Sequence, residues 1–308
     1  MSYIYEALQR AESERFGENL PTPSDSVAEL LQGVEREIER KQPPVGLPLE
    51  AHLSEAPELP KSDFFSSAKM LLPALATDAR LVCLTDQGCM AAEKFRVLGL
   101  KLRNVRERRK LKRIVITSSV PEEGKSLVAA NLALNQSRHR VLKTVLIDGD
   151  LRRPDLASRF GFHRNLAGLS EVLRGERQLS EVVYKLEGSR LWFLPAGMTP
   201  ENPIEIMQSG RLPQLLEQLE TFFDWVIIDT PPVRPLADTP LWMKLADGVL
   251  LVTREGMCEK TQLERTVELI DPSTMLGVVV NSCSSNEEKY HYARYSSENA
   301  EDDKSSTP

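Results

Sequence analysis

The chain has 308 residues, of which 41% are hydrophobic and 27% charged, a composition typical of a globular protein with one large or two small domains. Its formal net charge of −6 argues against nucleic acid as the main partner. No apolar run approaches the ~20 residues that span a bilayer, and the opening "MSYIYEALQR" lacks the features of a signal peptide. Four cysteines without a C-x-x-C pair indicate reduced thiols, so we expect a cytoplasmic protein without a transition-metal site.

Residues 1–77 differ in composition from the rest of the chain. Prolines recur and large apolar residues are sparse, so this segment buries too little surface to offset chain entropy. We predict a largely disordered N-terminal extension with a Pro-rich linker and short amphipathic helices in "YIYEALQRAESER" and "SVAELLQGVEREIERK". Such helices are marginal alone in water. Packing on the domain and docking on a partner are equally compatible with the pattern.

From 78 to 284, apolar runs alternate with helical patterns. Strands are predicted at "RIVIT", "KTVLID", "LWFLPAG", "WVIIDTPP", "GVLLVTR" and "LGVVVNS". Continuous apolar strands are typical of sheets that are covered by helices on both faces. The alternation predicts an α/β fold with a doubly wound, mostly parallel sheet. Beyond it, we predict a flexible acidic tail over 285–308 that carries a tyrosine cluster, Tyr290, Tyr292 and Tyr295.

The stretch "SSVPEEGKS" lies between a predicted strand and a predicted helix, the context of a phosphate-binding loop. Its backbone N–H groups are expected to hold phosphates, with an exposed Lys125 reaching the β- and γ-phosphates and Ser126 binding Mg²⁺. A serine replaces the usual first glycine, and we expect both loop glutamates to face solvent. The predicted nucleotide-binding residues of the loop are Ser119, Val120, Pro121, Glu122, Glu123, Gly124, Lys125, Ser126 and Leu127.

Carboxylates follow two further predicted strands. "VLIDGDLRRP" supplies Asp148 and Asp150, and "WVIID" ends in Asp229. The carboxyl ends of parallel strands form the edge where ligands bind, and Mg²⁺ prefers oxygen ligands. We therefore predict that Lys125 and the three aspartates form the catalytic set around ATP, and that Ser126 and the aspartates bind the Mg²⁺.

Together these motifs resemble the Walker A, Walker A′ and Walker B motifs of bacterial tyrosine kinases (BY-kinases) from capsule and exopolysaccharide loci. "AAEKFRVL" and "ADGVLLVTREG" agree with that family, and the resemblance covers roughly 79–283. MinD/ParA-type P-loop ATPases share the fold but carry an early loop lysine, which Val120, Pro121 and Glu122 do not offer. The opening "YIYEALQRAE" resembles the kinases encoded with exosortase-type exopolysaccharide loci.

One departure concerns the helix before the phosphate loop. BY-kinases often carry an E-x-x-R-x-x-R motif there for subunit contact. Glu93 and Arg96 match it, whereas Gly99 replaces the last arginine. The replacement puts ring assembly of the usual kind in question.

The resemblance implies ATP-dependent autophosphorylation of the tail tyrosines, with Asp148 or Asp150 as the base and with Arg152 and Asn281 as further nucleotide contacts. It also implies a role in polysaccharide chain-length control and export. The implied partners are a separate membrane-bound chain-length-determinant (Wzz-type) activator, further copies of the chain that phosphorylate one another, and a cognate tyrosine phosphatase. The activator would hold the kinase at the inner face of the plasma membrane. Two other functions stay open, a MinD/ParA-like ATPase switch that positions export machinery and a silent scaffold.

Overall fold

A computed structural model describes residues 68–75, 79–139, 141–163, 165–233 and 237–282. The strands of this part are β1 (Met70–Leu71), β2 (Arg113–Ser118), β3 (Thr144–Asp148), β4 (Tyr184–Leu186), β5 (Leu191–Leu194), β6 (Trp225–Asp229), β7 (Gly248–Arg254) and β8 (Met275–Asn281). Its helices are α1 (Val82–Thr85), α2 (Met90–Arg108), α3 (Lys125–Ser137), α4 (Leu156–Arg159), α5 (Leu169–Arg174), α6 (Leu179–Val182), α7 (Pro203–Met207), α8 (Arg211–Phe222), α9 (Asp238–Lys244) and α10 (Lys260–Val267). The helices predicted before residue 40 and the three tail tyrosines lie outside the described residues.

The described strands form one sheet in the order β1-β4-β5-β3-β6-β2-β7-β8. Neighbours pair in parallel except β4 and β5, which are antiparallel. The predicted doubly wound, mostly parallel α/β sheet is therefore confirmed. The three strands that carry the motifs, β3, β6 and β2, are neighbours, and Asp229 pairs with both Asp148 and Ile116. Their carboxyl ends consequently meet at one edge of the sheet.

The interiors of the central strands are apolar because both sheet faces are covered. Val115 belongs to one buried cluster, which includes Leu215 and Leu219 of α8. Its neighbours Ile114 and Ile116 belong to the cluster on the opposite face, together with the alanine-rich α3. This alternation is the period-two geometry of a strand, with a helix layer on each side.

Two short strands were not predicted. β1 and β4 have two and three residues, too few for a periodic pattern to appear in the sequence. β1 precedes the boundary predicted at 78, yet it pairs with β4 at the edge of the sheet. The backbone N–H of Ala74 also donates to the carbonyl of Phe160 over 3.1 Å. Part of the predicted extension thus packs on the domain.

Close packing of α2 on α3 accounts for Gly99. A Cβ added at Gly99 would lie 2.2 Å from Nδ2 of Asn135, so a side chain there would displace the Asn135 side chain from its place between α2 and α3. That amide donates to the carbonyl of Phe95 over 3.0 Å, which fixes the contact. Glu93 and Arg96 form an ion pair on the exposed side of the same helix. The residue that departs from the BY-kinase contact motif therefore serves helix packing.

Candidate active site

The loop between β2 and α3 has the shape that its sequence requires. Gly124 adopts a left-handed backbone with φ of 92° and is the N-cap of α3, whose free N–H groups point into the loop. Ser119 is buried and does not have a positive φ, so the missing first glycine is tolerated. The positive φ falls on Glu122 instead, at 68°, with its side chain exposed to solvent. The prediction that the Glu122 side chain faces solvent is confirmed.

Lys125 lies among the predicted acids. Its Nζ is 3.3 Å from Oδ2 of Asp150, 3.9 Å from Oδ1 of Asp229 and 3.3 Å from Oγ of Ser126. The prediction of an exposed lysine is wrong, because only 12% of the side chain is accessible. Burial opposes its charge, but Asp229 and Asp150 outweigh burial and raise the pKa of Lys125. The lysine is therefore a fixed cation at the sheet edge.

Two carboxylates at this edge are fully buried and incompletely paired. Asp148 Oδ2 accepts from the N–H of Leu156 over 3.1 Å. Within the described residues, Oδ1 of Asp148 and Oδ1 of Asp229 have no hydrogen-bond donor. Burial raises the pKa of Asp148 well above its usual range. Burial also raises the pKa of Asp229 to about 6, against the opposing charge of Lys125.

The unpaired oxygens suit a hard divalent cation. Mg²⁺ takes oxygen ligands, keeps several waters and usually binds through one or two carboxylates and substrate phosphates. Asp148, Asp229 and the hydroxyl of Ser126 supply such ligands. Within the described ranges, no three His, Cys, Asp or Glu side chains form a cage of their own. Asp150 contacts Lys125 and accepts from the N–H of Arg153 over 3.0 Å.

Arg152 and Asn281 have protein partners. The Arg152 guanidinium forms a bidentate pair with the buried Asp238 on α9, with distances of 2.7 and 3.1 Å. Arg152 thus contacts α9, and its contact with nucleotide stays a prediction. Asn281, at the end of β8, donates from Nδ2 to the carbonyl of Glu123 over 2.9 Å. It therefore contacts the loop, and its contact with adenine stays a prediction.

The structure also reveals contacts that the sequence did not indicate. Glu123 is fully buried, so the prediction that its carboxylate faces solvent is wrong. Trp242 of α9 donates to the carbonyl of Gly149 over 3.2 Å, and Gly149 donates to the carbonyl of Asp229 over 2.8 Å. A Cβ at Gly149 would lie 2.7 Å from that carbonyl. These contacts join distant loops, and no periodic pattern signals them.

The chain was compared with known proteins in sequence and in structure. No family model matches the chain. Sequence similarity extends to tyrosine-protein kinase YwqD of Bacillus subtilis, 32% identical over 203 residues that cover 65% of this chain and 85% of YwqD. A tyrosine-protein kinase CpsD of Streptococcus agalactiae is 31% identical and is covered over 74% of its length.

The solved structures agree. The kinase domain of the Escherichia coli tyrosine kinase ETK superposes with a TM-score of 0.63 at 27% identity, covering 67% of this chain and 81% of that domain. The chimerical protein CapA2B2 gives 0.62 at 30% identity, covering 70% and 94%. The fold and the loop define a P-loop nucleotide-binding protein. The chain belongs to the bacterial tyrosine-protein kinase family. In the described part of the chain, no helix is long and apolar enough to cross a membrane.

Proposed function

We propose that this protein is an ATP-dependent tyrosine autokinase. The observation that carries the proposal is the position of Lys125. Its ammonium group lies between Asp150 and Asp229 at the start of α3, where a phosphate loop delivers nucleotide to the carboxylate edge of the sheet. The family relationship supports tyrosine as the acceptor, since a P-loop alone is common to many nucleotide-binding proteins.

Phosphoryl transfer depends mainly on positioning and on neutralising charge, because its transition state is loose. The N–H groups of Gly124, Lys125 and Ser126 would hold the phosphates of ATP, and the Lys125 ammonium would neutralise negative charge on them. Bound Mg²⁺ would supply further neutralisation of the phosphate oxygens. Asp148 or Asp150 would accept the proton of the attacking tyrosine hydroxyl.

The proposed acceptors are Tyr290, Tyr292 and Tyr295, in the predicted tail at 285–308. The last described strand ends at Asn281. The last described strand thus ends beside the phosphate loop, which Asn281 itself contacts. We propose that a chain phosphorylates the tail of a neighbouring copy, and that each added phosphate, with about −1.5 to −2 charges, repels the acidic tail from the neighbour's site.

The wider role follows from the family resemblance. We propose control of polysaccharide chain length and export, exerted with a separate membrane-bound chain-length-determinant activator and reversed by a tyrosine phosphatase. The activator would hold the kinase at the inner face of the plasma membrane. In this arrangement 78–284 forms the kinase domain, extended at its edge by β1, and 1–77 supplies the remaining linker and the short amphipathic helices, which either pack on the domain or dock on a partner.

Intact-mass measurement after incubation with Mg-ATP tests the activity. Stepwise gains of one phosphate, absent in Lys125→Met, support the kinase. ADP release without a gain in mass would instead indicate a MinD/ParA-like ATPase, and neither change would indicate a silent scaffold. Asp150→Asn serves as a second inactive variant, and circular dichroism verifies that both inactive variants are folded.

A mixing experiment tests transfer between chains. Lys125→Met protein is combined with an active chain in which Tyr290, Tyr292 and Tyr295 are all Phe. Phosphate on the Lys125→Met chain supports transfer between copies. The model of transfer between chains is wrong if neither chain is labelled while the unmodified protein labels itself at a rate independent of its concentration. Size-exclusion chromatography before and after phosphorylation then tests whether phosphate loosens the oligomer.

A further inference from the structure

The buried carboxylate of Glu123 makes three hydrogen bonds. Its Oε2 accepts from the N–H of Val120 over 2.8 Å. Its Oε1 accepts from Oγ1 of Thr253 over 2.9 Å and from the N–H of Arg254 over 3.3 Å. Glu123 has no solvent exposure. Burying a carboxylate is costly unless donors replace water, so these three donors are what makes the position tolerable.

The three bonds connect the phosphate loop to another part of the sheet. Val120 belongs to the loop itself, whereas Thr253 and Arg254 end β7, the strand beside β2. On the loop's other side, Asn281 of β8 binds the carbonyl of Glu123. The loop is thereby attached to the ends of both β7 and β8.

The residue next to Glu123 explains why such an attachment is needed. Glu122 has a left-handed backbone, with φ of 68°, that is strained for non-glycine residues. Strained backbone persists only where surrounding contacts hold it. The bonds of Glu123 hold the loop on both sides of that position, through Val120 before it and through β7 and β8 after it.

Electrostatics excludes a direct role of this carboxylate in binding phosphate. A buried anion close to a triphosphate repels it, and the N–H of Val120 is already engaged by Glu123. The benefit must come from geometry. Donors that are held in place before the ligand arrives bind it more tightly, since the cost of ordering them has already been met in folding.

We propose that Glu123 is a positioning residue that sets the conformation of the phosphate loop for nucleotide, acting through Val120 and the end of β7. The proposal rests on the nucleotide-binding function proposed above. It assigns Thr253 the supporting role of holding the Glu123 side chain away from the phosphates.

Glu123→Gln tests the idea. A glutamine amide keeps the size of the side chain but presents N–H groups where Glu123 accepts, so one side of the attachment breaks. We expect the dissociation constant for a fluorescent ADP analogue with Mg²⁺ to rise about tenfold or more, the effect of losing one charged hydrogen bond. Thr253→Val, which removes one donor outside the loop, should raise it about threefold, and Thr253→Ser should restore it.

Glu171→Gln is the matched control. Glu171 is also buried and accepts from the backbone N–H groups of Gly168 and Met198, over 2.7 and 3.0 Å, away from the phosphate loop. The Glu171→Gln substitution should lower the thermal stability of the protein without changing its affinity for the ADP analogue. If Glu171→Gln weakens binding as much as Glu123→Gln, or if Glu123→Gln binds normally, the positioning role is refuted.

Two further outcomes are informative. If Glu123→Gln does not fold, the Thr253→Val and Thr253→Ser pair decides, because normal binding by Thr253→Val overturns the proposal. If the unmodified protein itself fails to bind the analogue, the proposed function falls and this inference with it. Normal binding by the unmodified protein and by Glu123→Gln overturns this inference alone.

Discussion

Asp229→Asn should stabilise the nucleotide-free protein while abolishing phosphorylation. The pKa of the buried Asp229 is raised from 3.8 to about 6. The folded state therefore binds this proton more tightly than the unfolded state, and ionisation destabilises the fold as the pH rises from 4 through 6. Above that range the cost is constant, at about 3 kcal/mol. Asparagine resembles the neutral acid and avoids this cost. The free energy of unfolding of the variant should therefore exceed that of the parent by about 3 kcal/mol at pH 8 and by about half of that at pH 5.

Urea unfolding at the two pH values, with EDTA and without nucleotide, measures both gains. Glu217→Gln, on the exposed face of α8, makes the same change in charge and should alter the free energy of unfolding by no more than about 0.5 kcal/mol at either pH. A variant that is no more stable than the parent at pH 8, or one whose gain is equal at both pH values, would refute the reasoning. After incubation of the Asp229→Asn variant with Mg-ATP, phosphorylation should be undetectable by intact-mass measurement.

Three further predictions concern the same edge of the sheet. Lys125→Met should lose autophosphorylation, and its free energy of unfolding should fall by about 3 kcal/mol because Asp150 and Asp229 lose their cation; normal phosphorylation would contradict the site. Asp150→Asn should lower the phosphorylation rate far more than affinity for ADP, measured by titration, since loop N–H groups supply much of the phosphate binding; near-normal turnover would mean that Asp150 is misassigned. Gly149→Ala should cost about 1 to 3 kcal/mol in urea unfolding, because its Cβ would lie 2.7 Å from the Asp229 carbonyl; an unchanged midpoint would show that the loop relaxes freely.

The sequence was sufficient for the parts of the fold that depend on local pattern. Continuous apolar runs identify β2, β3 and β6, and the residues after them carry the motifs. Because parallel strands end at the same edge, the sequence also predicts that Lys125, Asp148 and Asp229 meet there. The structure adds the strand order, which makes these strands neighbours and sets Asp148 beside Asp229.

Side-chain direction could not be predicted in the same way. Glu122 and Glu123 are identical in type and adjacent, yet one is exposed and the other fully buried. The difference arises from Thr253, some 130 residues later in the chain, and no pattern near the loop reports it. Lys125 is largely shielded from solvent for a related reason, since the acids that surround it come from β6 and from the loop after β3.

The same geometry suggests what binding of substrate must change. The Lys125 ammonium lies 3.3 Å from Asp150, and among the described residues no donor reaches Oδ1 of the buried Asp148. Phosphates arriving at the loop would compete with Asp150 for that ammonium. Asp148, Asp229 and Ser126 would hold a divalent cation that arrives with the phosphates, and it would supply positive charge at the acids. Charge at the edge would then stay balanced only if nucleotide and metal arrive together, which favours Mg-ATP over either ligand alone. Buried carboxylates without a full set of partners, such as Asp148 and Asp229, are tolerated in proteins where function needs them.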